Sequence, residues 1–147
     1  MAREIPWQGE PLPRGRHKLA TDVVKGSQRQ RLVRAMLESV AAHGYDTTTV
    51  PAVVSAAHVS RNAFYEFFDD KADCFLSALT EAAEEMLIEL ASLASEADWT
   101  QALSTGVARY LNWWKAHPTV AKAYFMGLPR LGERGDAHRD RTFAAYE

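Results

Sequence analysis

Hydrophobic positions recur at spacings of three and four from residue 32 onward, and no sustained alternation of period two occurs anywhere. That pattern predicts an all-α chain. Leu32, Val33, Met36, Leu37 and Val40 form one stripe, which gives a first helix over 28–43. Ser27 can cap it, and Gly44 closes it just past its C-terminus. Val50, Val53, Val54 and Ala57 define a second, short helix, with Thr49 as N-cap and Pro51 in the first turn. Ser60 caps a third, whose Phe64 and Phe68 share one face. Asp70 and Asp73 open a fourth in the manner of a capping box. Its stripe of Phe75, Leu79, Ala82, Ala83, Met86, Leu90 and Leu93 carries the helix to about residue 95, with Glu81, Glu84, Glu85 and Glu89 on the other side. Such a helix is roughly 35 Å long at 1.5 Å per residue, enough to act as a lever.

The pattern continues in the C-terminal half. Asp98, with Gln101 three residues on, opens a fifth helix with a stripe of Leu103, Val107, Tyr110, Leu111 and Trp114 that runs to about Ala116. Pro118 sits at N1 of a sixth, which carries Val120, Tyr124, Phe125 and Met126 and stops at Gly127. Residues 128–132 read as a loop, and a last helix begins near Gly135 and holds Phe143 and Tyr146. Before the first helix the pattern fails. Pro6, Pro11, Pro13, Gly9, Gly15 and Gly26 predict a flexible arm, with at most a short turn at 21–24. Three parts follow: an arm over 1–26, a three-helix head over 27–70, and a helical body over 71–147.

Charge changes this picture more than composition does. The net charge of −2 conceals a basic head: residues 11–34 hold seven basic side chains and one acid, whereas residues from 76 onward hold seven basic and ten acidic ones. A basic N-terminal part suits a polyanion. At 47% hydrophobic and 24% charged, the chain is not globally disordered. The single cysteine, Cys74, excludes an internal disulfide and has no local activating partner, so it reads as a small buried hydrophobe. No apolar run of 18 residues exists and the N-terminus lacks an apolar signal core, so no membrane is expected and the location expected is cytoplasmic.

Residues 49–71 concentrate the chemistry. Two short helices around a tight turn form a helix-turn-helix, whose second helix can enter a major groove. Arg61 can bond a guanine edge or a phosphate, and Asn62 can pair with adenine. Ser60 and the helix N-terminus beside it suit a phosphate, and Tyr65 offers a hydroxyl at backbone reach. A purely structural hairpin with solvated Arg and Asn is the competing reading. Upstream, Arg14 and Arg16 can enter a minor groove beside the motif, or belong to a solvated tail.

The segment TTTVPAVVSAAHVSRNAFYEFFDDKADCFLSAL resembles the DNA-binding segment of TetR-family transcriptional regulators, and the likeness covers about residues 29–79. It rests on Thr-Thr-Val opening the second helix, Ala-x-Val-Ser at the turn, Phe-Tyr-x-x-Phe on the third helix and Asp-Lys opening the fourth. The resemblance implies a sequence-specific, ligand-responsive repressor that binds double-stranded DNA at a palindromic operator as a homodimer. DNA contacts are expected from Arg14, Arg16, Thr49, Ser60, Arg61, Asn62 and Tyr65, and the resemblance adds Lys71 as a phosphate contact. It implies that Tyr45 packs under the motif. It also implies a cavity for a small hydrophobic or aromatic inducer, with Met86, Tyr110, Trp114, Tyr124 and Phe125 as candidate lining. Trp113 and Trp114 are adjacent, so both cannot face the same core.

This sequence departs from the family at His58, where the turn usually carries Gly, and at Phe67, where a phosphate-binding His or Tyr is common. Family members also usually continue through two further helices that pair two subunits, so either the dimer interface is unusual or the sequence is shortened. The competing function is a helical protein-interaction adaptor that has lost DNA binding. No enzymatic activity, metal or other cofactor is expected: HExxH, a CxxC pair, GxSxG and a phosphate-cradling Gly loop are all missing. His43, His58, His117 and His138 sit where solvated or capping histidines are ordinary.

Overall fold

The computed structural model describes residues 21–91 and 98–144, and every regular element among them is helical. The first helix, α1 (Thr21–His43), is longer than its hydrophobic stripe. Residues 21–26, expected to end a flexible arm, form its opening turns. Asp22 lies in the first turn, where an acid suits the helix dipole. Lys25 reaches Glu66 at 3.5 Å, and Arg29 pairs with Glu81 while lying over the Phe68 ring. Partners distant in sequence therefore hold the turns that the local pattern leaves unsupported. Gly44, at φ +88°, closes α1 as expected. The buried Thr48 hydroxyl donates to its carbonyl at 2.8 Å.

Next come α2 (Val50–Ala57) and α3 (Arg61–Phe67). They pack on α1 through Val53, Ala57, Phe64 and Phe68, against Leu32, Val33 and Met36. The fourth helix, α4 (Lys71–Ala91), opens with the expected capping. Asp70 Oδ1 accepts from the Asp73 N–H at 2.7 Å, and Asp73 accepts from the Asp69 N–H at 2.9 Å. Tyr45 packs on Phe75 of α4 at 5.4 Å between ring centroids, as the resemblance implied. Glu81, placed opposite the apolar stripe of α4, pairs with Arg29 of α1.

The helix α5 (Trp99–Ala116) forms where expected, and the Asp98 carboxylate accepts from the Thr100 N–H at 2.9 Å. Its facing is different. Leu103, Val107 and Leu111 are 60%, 51% and 55% exposed, so these three members of the stripe lie outward, while Tyr110 and Trp114 turn toward α4 and residues 138–143. The sheltered line runs instead through Ala102, Thr105, Gly106 and Trp113. Small side chains let α5 approach its neighbours, and Trp113 alone on this helix is fully buried.

Pro118 opens α6 (Pro118–Lys122). Gly127 does not stop the run. The chain continues through a π-helical turn, Ala123–Gly127, into a 3-10 turn, Leu128–Leu131. Gly127 marks a close approach: a Cβ there would stand 2.8 Å from both Phe75 Cζ and Val40 Cγ1. The final described helix, α7 (Glu133–Ala144), starts two residues before the expected Gly135. Tyr146 lies outside the described residues.

One hydrophobic cluster joins these parts. Leu32, Met36, Val40, Phe64 and Phe75 belong to it, and so do Trp113, Val120, Ala123 and Leu128. Head and body therefore share a core at α1 and α4.

Candidate nucleic-acid interface and ligand cavity

Local capping sets the angle between α2 and α3. Thr49 Oγ1 accepts from the Ala52 N–H at 3.3 Å, and Ser60 Oγ accepts from the Ala63 N–H at 3.1 Å. Between the helices His58 adopts φ +53°, ψ +44°, the left-handed region that Gly enters most easily. The His58 N–H donates to Ser55 at 3.2 Å and the Val59 N–H to Val54 at 3.0 Å, which satisfies the last carbonyls of α2. Arg31 adds to this closure. Its Nη1 donates to the carbonyls of Ala57 at 2.9 Å and His58 at 3.3 Å. Arg31 is thus the strut of the turn.

On α3 the side chains divide by face. Phe64 and Phe68 are buried with ring centroids 5.5 Å apart, while Arg61, Asn62, Tyr65 and Glu66 are exposed. The Arg61 guanidinium lies 5.8 Å from the Tyr65 ring, and Tyr65 meets Phe64 edge-on at 5.2 Å. Thr49 and Ser60 are also exposed, and each hydroxyl proton is still available after the cap bond is made. Thus Thr49, Ser60, Arg61, Asn62 and Tyr65 lie on the outer side of one motif. Phe67 is half-buried against Phe68. Lys71 turns inward: Nζ donates to the carbonyls of Tyr45 at 2.9 Å and Thr48 at 3.0 Å and sits 4.1 Å from the Tyr45 ring centroid. One of its three donors remains for a phosphate. Arg14 and Arg16 lie outside the described residues.

The back of the head is tied to the body by two exposed ion pairs. Arg130 Nε donates to Asp46 at 2.7 Å, and Arg134 Nη1 donates to Asp70 at 2.8 Å. The Arg134 bond holds the Asp70 carboxyl below its ordinary range.

A cavity of about 350 Å³ lies between α4, α5, α6, the π turn and α7. Met86, Tyr110, Trp114 and Tyr124, four of the five expected residues, line it. Phe125 does not; it is exposed, with its ring 5.1 Å from the Trp114 ring. Trp113, His138, Thr142 and Phe143 also line the cavity. Adjacent Trp113 and Trp114 both line it, with their rings edge-to-face at 88°. His138 is buried, not solvated, and burial lowers its pKa, with Arg141 adding to the effect. Gly135, His138 and Thr142 form the sheltered line of α7. Their three- and four-residue spacing was present in the sequence, but none is strongly apolar, so the hydrophobic pattern hid that face.

His117 caps α5: its Nδ1 lies 2.7 Å from the Trp113 carbonyl, and its ring stacks on Trp113 at 4.2 Å. Burial and the Glu89 charge raise the Glu85 pKa while His117 lowers it, burial being the larger cause. Burial pushes the Cys74 thiol well above its ordinary value, which suits a packing residue. Among the described residues, no group of three or more His, Cys, Asp or Glu could hold a metal ion, and no helix is long and apolar enough to cross a membrane.

The head is thus a helix-turn-helix domain of the three-helix type. Residues 32–78 match the family described as bacterial regulatory proteins, tetR family. The match covers the helix-turn-helix head and the opening turns of α4, about a third of the chain. The transcriptional regulator AcuR of Cereibacter sphaeroides is 38% identical over 77 residues, which cover 52% of this chain and 34% of that protein. Among solved structures, the fatty acid degradation regulator FadR from Bacillus halodurans superposes with a TM-score of 0.73 at 19% identity, covering 81% of this chain and 61% of that one. A TetR family transcription regulator from Marinobacter aquaeolei VT8 gives 0.63 at 19% identity, covering 86% and 70%. These two likenesses are of fold. The chain spans about a third of the AcuR length and about three fifths of the FadR chain.

Proposed function

We propose that this chain is a DNA-binding transcriptional repressor whose body takes up a small hydrophobic or aromatic molecule. The observation that carries the reading is the division of α3: two buried phenylalanines fix the helix, and Arg61, Asn62 and Tyr65 stand on its outer side. Two heads of a homodimer would sit in successive major grooves of a palindromic operator in the cytoplasm, with Arg14 and Arg16 adding contacts beside them. Thr49, Ser60 and Lys71 would hold phosphates. The residue divisions follow: an arm, a reading head to residue 70, and a regulatory body beyond it.

The regulatory half of the proposal has a physical route. The 3-10 turn and α7 run consecutively; they hold Asp46 and Asp70 of the head through Arg130 and Arg134, while α7 lines the cavity through His138, Thr142 and Phe143. A ligand that moves α7 would favour one of two head positions.

Selection of bound duplexes from random DNA tests the reading. The expected product is a palindrome with half-sites about 10 bp, or one helical turn, apart. The outward apolar face of α5 favours a second reading, a protein-interaction adaptor without DNA binding. Absence of any enriched sequence at low salt would select that alternative.

A further inference from the structure

The outer side of α3 carries one side chain whose charge is wrong for a face that meets a polyanion. Glu66 is the single acid on that helix. It is exposed, as are Arg61, Asn62 and Tyr65. Spaced four apart, Arg61 and Tyr65 form one ridge of the helix, and Asn62 and Glu66 form the next. The first ridge is held by the Arg61 guanidinium over the Tyr65 ring. The second is held from α1, where Lys25 Nζ lies 3.5 Å from Glu66 Oε2. An exposed pair of this kind adds little to stability, so its main consequence is where the two charges sit. A carboxylate only accepts hydrogen bonds. Phosphate oxygens are acceptors too, so against the DNA backbone Glu66 can only repel. A base edge that donates is the one part of a duplex that suits it.

We propose that Glu66 is a specificity-determining residue, accepting from the N4 amino group of one cytosine in each half-site. The inference rests on the reading of α3 as the helix that enters a major groove, and adds a base contact to it. In that groove the donors are cytosine N4 and adenine N6. Adenine N6 lies between two acceptors, its own N7 and the O4 of the paired thymine. Cytosine N4 has an acceptor on one side only, the guanine O6, so a carboxylate oxygen can approach it from the other. Lys25 completes the arrangement. Its ammonium has three donors and Glu66 engages at most one, which leaves the others for a phosphate. The pair divides the contact: Lys25 supplies affinity that every sequence shares, and Glu66 supplies a preference among bases.

Selection from random duplex DNA by the full chain, in parallel with Glu66→Gln and Glu66→Ala, tests the proposal. The wild type should enrich cytosine at one position of each half-site by about tenfold over the other bases. Glutamine keeps the shape and adds a donor beside its acceptor, the combination that matches adenine N6 and N7. Glu66→Gln should therefore move that one position from cytosine to adenine and leave the rest of the site as it was. Glu66→Ala should level the preference there. Lys25→Ala should weaken selected and scrambled duplexes alike and lower the salt slope by about one. Glu66 is exposed, and its substitutions leave the buried Phe64 and Phe68 untouched. The same base at every position for wild type and Glu66→Gln would overturn the proposal while leaving the reading of α3 intact. So would tighter binding of all duplexes by Glu66→Ala with their ranking unchanged, the mark of an acid that only repels. No enriched sequence for the wild type would overturn both.

Discussion

His58 holds a left-handed backbone that a β-carbon makes costly, by about 1–2 kcal/mol for an ordinary L residue. Its side chain is exposed, and the Arg31 bond goes to its carbonyl, which any residue supplies. His58→Gly should therefore stabilise the chain, by about 0.5–1 kcal/mol once the extra freedom of the unfolded glycine is subtracted. Urea denaturation would show the midpoint rising with an unchanged slope. His138 gives a pH prediction. Its folded pKa lies below the ordinary 6.5, mainly through burial. As pH falls below that value, the unfolded chain takes up a proton that the folded chain resists. The stability present above about pH 6.5 is then lost progressively until the lower folded pKa is passed. Melting curves between pH 7.5 and 5.5 should be steeper in pH for the wild type than for His138→Leu. At this scale the sequence was legible where causes are local. Thr49, Ser60, Asp70 and Asp98 cap as expected because their partners lie two or three residues away. The carbonyl bonds of Arg31 and Lys71 were not legible because their partners lie 23 to 27 residues away.

Elements were predicted best where one face is plainly apolar and a cap stands at the end. The helices α2, α3 and α4 meet both conditions. By contrast, the aliphatic part of the α5 stripe, Leu103, Val107 and Leu111, faces outward, because small residues on its other side permit closer packing. Periodicity reveals that a helix has faces; neighbours decide which face is buried. The same limit hid the lining of α7. Gly127 shows how a residue type can be read for the wrong reason. It was taken as a helix stop, yet the helical path passes through it, and its lack of a side chain brings the π turn against Phe75 and Val40. Gly127→Ala should cost about 1–3 kcal/mol through overpacking, measurable as a lower denaturation midpoint. Gly44→Ala would also destabilise, but through backbone strain at φ +88°. The two variants differ in how repacking acts on them: Val40→Ala, which opens space beside residue 127, should recover part of the Gly127→Ala loss and none of the other.

For the whole molecule, the basic N-terminal part and acidic remainder were visible from charge alone, as was the all-α class. The shared core between head and body was not, because it depends on α1 meeting α6 and the π turn across some 80 residues of chain. On the proposed function, that shared core, with the Asp46–Arg130 and Asp70–Arg134 pairs, would give a ligand in the body a short physical route to the head. The pairs are exposed, so each adds little to stability, about 0–1 kcal/mol. Their value in this account is orientation of the head.

On the proposed function, the outer face of α3 reads DNA sequence. The most direct measurement compares wild type, Arg61→Ala and Asn62→Ala on a selected operator and on a scrambled duplex of equal length at one salt concentration. Each substitution is expected to lower operator affinity by about 1–3 kcal/mol and to narrow the gap to the scrambled duplex, because base contacts carry specificity. Wild-type affinity and an undiminished gap in both variants would contradict that reading.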